Sequence, residues 1–247
     1  MILWFRDIDR LFDAFWWSFF DVVIWGLMTT HYVAEMNPGA TGQIMIGIIF
    51  WTALARSQWE ISVTMVVESW DRNLINIFSS PLTLFEFLFS SVVLGFAKML
   101  IVLIFTSIVT LLFISFNVFS LNLWIIPLLA NIFLTSIWLA FFINSLILRY
   151  GKNVITFAWT LIFLVNPISG VMYPLSVLPV WLQTISKAIP TSYVFEGMRS
   201  ILISGNMDPK GLVYSFGLNL LYIFFSVMFF TYTFKKARVH GWLIKLA

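Results

Sequence analysis

Apolar residues run through this 247-residue chain in long stretches, and short polar breaks separate them. A helix rises about 1.5 Å per residue, so about 20 apolar residues are enough to cross the hydrocarbon core of a bilayer. Six stretches have about this length. They lie near residues 15–35, 43–66, 86–114, 123–148, 154–173 and 211–234. The pattern predicts an all-α membrane protein with about six transmembrane helices, organised as a single transmembrane domain over residues 1–247.

The first residues predict an amphipathic helix ahead of the first span. Trp4 and Ile8 share an apolar side at helical spacing, whereas Arg6 and Asp9 lie on the other side. Such a pattern favours a helix that lies along the cytoplasmic interface, over residues 1–14. The alternative is that these residues are only the polar start of the first span.

The longest break in the apolar pattern, residues 174–210, is interrupted by prolines and predicts an extracytoplasmic helical element before the last span. One short amphipathic helix is expected after Ser176, with Pro179 near its first turn. A second is expected after Thr191, which is a suitable N-cap residue. Both helices are too short to cross a bilayer and too apolar to lie in water, so we expect them at one membrane face.

The distribution of Lys and Arg orients the predicted spans. Cytoplasmic loops carry an excess of these residues, and charge in short loops has the most weight. With both termini in the cytoplasm, most basic residues fall on that side: Arg6, Arg10, Arg72, Arg149, Lys152, Lys235, Lys236, Arg238 and Lys245. The two short loops on the other side have no Lys or Arg. The pattern therefore predicts cytoplasmic termini and places residues 174–210 outside.

The loop over residues 67–84 is predicted to lie in the cytoplasm. It can form a short helix that presents Asp71, Arg72, Asn73 and Asn76. A charged helix on a cytoplasmic loop is suited to docking a soluble partner. An ordinary solvated loop is the alternative.

Ionisable residues inside the apolar stretches are costly to bury unless they have partners. Arg56 and Glu60 are four residues apart in the second span, so they share one helix face and can pair. Lys98 in the third span is a possible further partner of Glu60, and Asp21 lies inside the first span. We interpret Arg56, Glu60 and Lys98 as an intramembrane charge cluster. It could fix helix packing, line a transport route, or do both.

Composition supports a membrane protein and excludes several other classes. The chain is 61% hydrophobic and 10% charged, whereas soluble domains have about 25% charged residues. The abundant Phe and Trp are typical of surfaces that contact membrane lipids. There is no Cys, so disulfides and thiol chemistry are excluded. The net charge of +3 gives no indication of a nucleic-acid partner.

Catalytic and cofactor motifs are absent from the sequence. His31 and His240, the two histidines, have no ligand cluster around them, so no metal site is predicted. No stretch has the G-x-x-x-x-G-K-[ST] spacing of a phosphate-binding loop. No nucleophile and base can be paired from spacing. We therefore expect neither an enzyme nor a bound cofactor on this chain.

Two stretches before the last span resemble the signature of ABC-2 type permeases, the membrane subunits of type-2 ATP-binding-cassette exporters. Residues 169–182 read SGVMYPLSVLPVWL, and residues 189–199 read IPTSYVFEGMR. Ser80-Pro81 after the cytoplasmic loop and Asp21 with Trp25-Gly26 in the first span add to the resemblance.

The resemblance implies a half-transporter. Two copies of this chain would form a homodimer, and two copies of a separate ATPase, which would bind ATP and Mg, would dock below. It implies the inner or plasma membrane of the cell. It also implies export of an amphipathic or glycan- or lipid-type substrate from the cytoplasm or the inner leaflet. Residues of the loop would couple to the ATPase: Glu68, Asp71, Arg72, Asn73 and Asn76. Residues of the outer element would line or cap the exit: Tyr173, Pro174, Pro179, Trp181, Pro190, Tyr193, Glu196 and Arg199.

Three other functions stay open at this point. An ion-gradient-driven secondary transporter could use Arg56, Glu60 and Lys98, although the sequence lacks the two related halves with discontinuous helices that this class often shows. A membrane enzyme would need a cluster of reactive side chains, whereas a non-transporting scaffold would not.

Overall fold

The computed structural model describes residues 8–33, 38–70, 83–151 and 155–239, and this part of the chain is almost entirely helical. It contains eight α-helices, numbered here in chain order. They are α1 (Ile8–Met28), α2 (Pro38–Trp70), α3 (Leu84–Ile114), α4 (Ile125–Tyr150), α5 (Ile155–Ile168), α6 (Val180–Ser186), α7 (Pro190–Ser204) and α8 (Pro209–Val239). A π-helix (Thr29–Val33) continues α1, and 3-10 helices occupy Val118–Trp124 and Leu175–Val177.

The predicted all-α membrane fold is confirmed. Within the described residues, three helical stretches are long and apolar enough to cross a membrane: Leu84–Ile114, Val118–Tyr150 and Pro209–Ala237. The other predicted spans correspond to α1, α2 and α5. The first two have 21 and 33 residues but carry charges, and α5 has only 14 residues. The count of about six spans stays a prediction.

Two predicted boundaries differ from the structure. The helix α1 runs without a break from Ile8, so residues 8–14 and the first span form one helix. The placement of residues 1–14 along the interface stays a prediction, and residues 1–7 lie outside the described part. The helix α5 ends at Ile168, five residues before the predicted end of the fifth span. It ends there because Pro167 and then Gly170, which has a φ of +65°, do not continue a helix.

The helix α3 begins at a well-formed N-terminal cap. Thr83 is the N-cap of α3 and accepts a hydrogen bond from the Glu86 amide at 3.3 Å. The Glu86 carboxylate accepts one from the Thr83 amide at 2.7 Å, which completes a capping box. A 3-10 helix lies between α3 and α4, where the apolar pattern of the sequence is interrupted. Asn117 caps this helix, because its side-chain oxygen accepts a hydrogen bond from the Phe119 amide at 2.9 Å.

The long helix α2 lies at the centre of the bundle, where it packs against α1, α3, α4 and α7. The helix α4 also packs against α8. Small residues permit these close contacts: a Cβ on Gly95 of α3 would lie 3.1 Å from the Ser57 carbonyl of α2. The hydroxyls of Ser57 and Ser136 lie 3.0 Å apart between α2 and α4. Helix packing in membranes depends on such small and weakly polar residues.

One end of the bundle is covered by residues 169–208, which we call the cap. It contains the short 3-10 helix, α6 and α7. The two predicted short helices are present, but Thr191 is not an N-cap. The helix α7 begins at Pro190 after Ile189, because proline suits the first helical position. Thr191 lies inside the first turn, where its hydroxyl is 2.5 Å from that of Ser169.

Candidate functional site

A buried arginine holds the cap together. Arg199 of α7 is 5% exposed. Its Nη2 donates to the carbonyl of Gly170 and to that of Val171, the latter at 3.2 Å. Its Nη1 donates to Oε1 of Glu196, one turn earlier, at 3.0 Å. Burial lowers the pKa of Arg199, and the Glu196 carboxylate opposes this shift.

Glu196 extends this contact to a second backbone stretch. The same Oε1 accepts a hydrogen bond from the Leu175 amide at 2.7 Å. The Glu196–Arg199 pair therefore fixes the chain on both sides of Tyr173 to α7. Because a guanidinium presents several donors in a fixed plane, it can bind two carbonyls and a carboxylate at once.

Further hydrogen bonds attach the cap to α5. Tyr173 Oη donates to the Pro167 carbonyl at 2.8 Å, and Ser186 Oγ donates to that of Ile168 at 2.6 Å. Within the cap, Tyr193 Oη donates to the Lys187 carbonyl at 2.8 Å. Of the residues predicted at the exit, Tyr173, Tyr193, Glu196 and Arg199 take part in this network, and Pro190 starts the buried face of α7. Pro174, Pro179 and Trp181 are exposed.

The cap also lies directly against the central helix. A Cβ placed on Gly47 of α2 would overlap the carbonyl of Val171. Arg199 of α7 donates a hydrogen bond to this same carbonyl, so Val171 lies between α2 and α7. The first part of α2 and the anchored cap form one packed unit.

Farther along α2 lies a buried ion pair. Lys98 Nζ of α3 is 2.9 Å from Oε2 of Glu60, and each side chain is 1% exposed. The structure thus brings Glu60 and Lys98 of the predicted charge cluster together. The third, Arg56, acts electrostatically on Asp21 of α1. The predicted Arg56–Glu60 pair stays a prediction.

A cavity of about 280 Å³ lies between α1, α2, α5 and the cap. It is lined by Asp21, Trp25, Ile48, Trp51, Thr52, Phe163, Asn166 and Met172. Most of this wall is aromatic or aliphatic, and three polar side chains interrupt it. The hydroxyl of Thr52 is fully buried and has no hydrogen-bond partner among the described residues.

Comparison with protein families identifies the chain. The model of a family described as ABC-2 type transporter matches residues 2–203, which extend from the start of the chain almost to the end of α7. This chain belongs to the ABC-2 type transporter family. It is therefore an integral membrane protein and the permease, or transport subunit, of an ABC-type transporter. A comparison with curated proteins finds no match.

The predicted coupling residues of the permease fall mostly outside the described structure. Asp71, Arg72, Asn73 and Asn76 belong to residues 71–82, of which nothing is described. Glu68 lies in the last turn of α2, at the end of the bundle opposite the cap. Within the described residues, no group of three or more His, Asp or Glu side chains is placed to hold a metal ion.

A buried polar network between α4 and α8 was not predicted. The Asn219 amide nitrogen donates to Oδ1 of Asn131 at 2.6 Å, and Ser215 Oγ donates to the same oxygen at 2.8 Å. Oδ1 of Asn219 accepts from Thr135 and Trp138 at 3.0 and 2.9 Å. A signal was present in the sequence, since Ser215 and Asn219 share a helix face, as do Asn131 and Thr135. Nothing in the spacing shows that the two faces meet.

Proposed function

We propose that this permease is the membrane subunit of an ATP-driven exporter, which moves an amphipathic or a glycan- or lipid-type substrate out of the cytoplasm or the inner leaflet. The family match over residues 2–203 carries the proposal. Two copies of the chain form the transport path in the inner or plasma membrane. Both termini are cytoplasmic, and the cap faces outward, as the distribution of Lys and Arg supports.

In this proposal the energy comes from a separate chain. Two copies of a cytoplasmic ATP-binding-cassette ATPase bind ATP and Mg, and each docks on the loop over residues 67–84 of one permease. The charged residues Asp71 and Arg72 bind the ATPase surface. The lack of a phosphate-binding loop in this sequence is consistent with ATP hydrolysis on a partner.

The helix α2 connects the two ends that such a mechanism must couple. It has 33 residues and is therefore about 50 Å long. Its last residues precede the docking loop, and Gly47 near its start contacts the cap at Val171. The Glu60–Lys98 pair joins α2 to α3, so the two helices on either side of the loop move together. A push on the loop is thereby carried to the cap, where the two copies separate to release substrate.

The test is capture of the ATPase from native membranes by the tagged, full-length permease in a mild detergent. We expect an ATPase to co-purify with the permease, with one ATPase copy for each permease copy. Replacing Asp71 and Arg72 together with alanine should lower the affinity for the ATPase by about tenfold or more, since close charge pairs at an interface contribute about 1.5 kcal/mol or more. The control replaces Lys187 and Asp208, which are exposed in the cap, and should bind as the unaltered permease does. Equal affinity of the Asp71/Arg72 variant would show that this loop does not dock the ATPase.

A further inference from the structure

The cavity between α1, α2 and α5 has no role in the coupling mechanism above. Four elements contribute to its wall, and α1, α2 and α5 each supply both an aromatic ring and a polar side chain. Asp21 and Trp25 come from α1, and Trp51 and Thr52 come from α2. Phe163 and Asn166 come from α5, while Met172 closes the cavity from the cap.

The aromatic part of this wall is suited to a cation. Trp25, Trp51 and Phe163 provide three ring systems in one cavity. The negative face of an aromatic ring attracts a cation, and tryptophan is the strongest of the aromatic side chains in this respect. An apolar ligand body would also be stabilised by these rings and by Ile48 and Met172.

The charge on the wall has the complementary sign. Asp21 is the one charged side chain among the described residues that line the cavity. Arg56 lies one helical turn beyond Thr52 and attracts Asp21 electrostatically, but it is not part of the wall. Among the described residues that line the cavity, a ligand therefore meets one carboxylate and no cationic side chain. This arrangement disfavours an anionic head.

The polar groups indicate a head group that donates hydrogen bonds. Thr52 is 2% exposed, and its hydroxyl oxygen has no hydrogen-bond partner within the part of the chain that the structure describes. A buried hydroxyl without a partner is unfavourable, so a polar ligand atom at this position is stabilising. A protonated amine has several N–H donors and could bind Thr52, the Asp21 carboxylate and the Asn166 carbonyl together.

We propose that this cavity binds the ammonium head of a cationic amphipath. The apolar body extends toward Phe163, which is 67% exposed and marks the open side of the cavity. The inference rests on the proposed function, because it names the substrate class of the exporter. Binding itself requires neither ATP nor the ATPase.

Three ligands with the same apolar cage test the sign of the preferred charge. Adamantan-1-amine is cationic near neutral pH, adamantan-1-ol is neutral, and adamantane-1-carboxylate is anionic. Binding to the purified full-length permease is measured by calorimetry, and the heat from protein-free micelles is subtracted. We expect the amine to bind about tenfold more tightly than the alcohol, and the carboxylate to bind most weakly. Equal affinities, or tighter binding of the carboxylate, would overturn the proposal.

Two variants assign the binding to this cavity. Asp21→Asn should lower the affinity for the amine by about tenfold and leave that for the alcohol unchanged. The matched control, Asp208→Asn, removes an exposed carboxylate in the cap and should change neither affinity.

If Asp21→Asn is not well folded, Phe163→Leu provides the second variant, because Phe163 is too exposed to be needed for packing. Phe163→Leu should weaken amine binding, and Phe163→Tyr should retain it. Unchanged amine binding in a folded Asp21 or Phe163→Leu variant would overturn the assignment.

The result is separate from the test of the exporter. Selective amine binding without any captured ATPase would support the cavity and contradict ATP-driven export. A captured ATPase without charge selectivity would support the exporter and contradict this inference.

Discussion

Two charged pairs in this permease have different roles because their surroundings differ. Glu196 and Arg199 lie in the cap and bind backbone groups of residues 170–175. Their main effect is to fix a chain segment that has little regular structure of its own. Glu60 and Lys98 bind each other within the bundle, where each is 1% exposed. A charge in such a place is tolerated because its partner is present.

The buried pair predicts a specific effect on stability. Glu60→Gln leaves the Lys98 ammonium buried without its carboxylate, and we expect a loss of about 3–5 kcal/mol in the free energy of unfolding. Thermal unfolding of the purified permease in detergent measures this effect. The double variant Glu60→Gln with Lys98→Met should recover much of the loss, because it removes both charges. An unchanged melting temperature of Glu60→Gln would contradict a dry, structural pair.

At the scale of elements, the contact between α2 and the cap depends on a glycine. The Val171 carbonyl occupies the space that a side chain on Gly47 would need. This carbonyl belongs to the backbone and is also bound by Arg199, so it cannot move aside as a flexible side chain would. The close approach is therefore a condition for attaching the cap to the bundle.

Gly47→Ala should displace the cap. We expect destabilisation of about 1–3 kcal/mol, as for other overpacked sites, together with faster amide hydrogen exchange at residues 170–178. Gly217→Ala in α8 is the matched control, since a Cβ there has no neighbour within 4 Å in the described parts of the chain. The control should be neutral or more stable by up to about 1 kcal/mol because alanine favours helix. Equal behaviour of the two variants would show that Gly47 does not hold the cap against α2.

The sequence predicted which segments are helical better than it predicted the residues at which the helices begin and end. The long apolar stretches correspond to helices because burial in lipid leaves few alternatives to a helix. The end of α5 was misplaced, since Pro167 and Gly170 are compatible with several local breaks. The start of α7 was misplaced because Pro190 and Thr191 both suit a helix start, and only the contact of Thr191 with Ser169 distinguishes their positions.

At the scale of the whole molecule, function depends on contacts between distant parts of the chain. Lys98 could be suggested as a partner of Glu60 because both are ionisable residues in apolar stretches. The cavity could not be found in this way, because its wall combines α1, α2, α5 and the cap. Aromatic residues in a membrane protein are also abundant, so their number did not indicate which ones meet. The family resemblance indicated the class of function, whereas the fold was needed to show where the ion pair and the cavity lie.

The central claim is that this permease uses ATP hydrolysis to move substrate. The most direct measurement is ATP hydrolysis by the tagged permease, purified from its native membrane and reconstituted in liposomes with the partners that it retains. We predict hydrolysis that amphipaths stimulate and that persists when ionophores collapse the proton and sodium gradients. A permease that purifies without ATPase activity, and that accumulates solute in response to an imposed ion gradient, would contradict the claim.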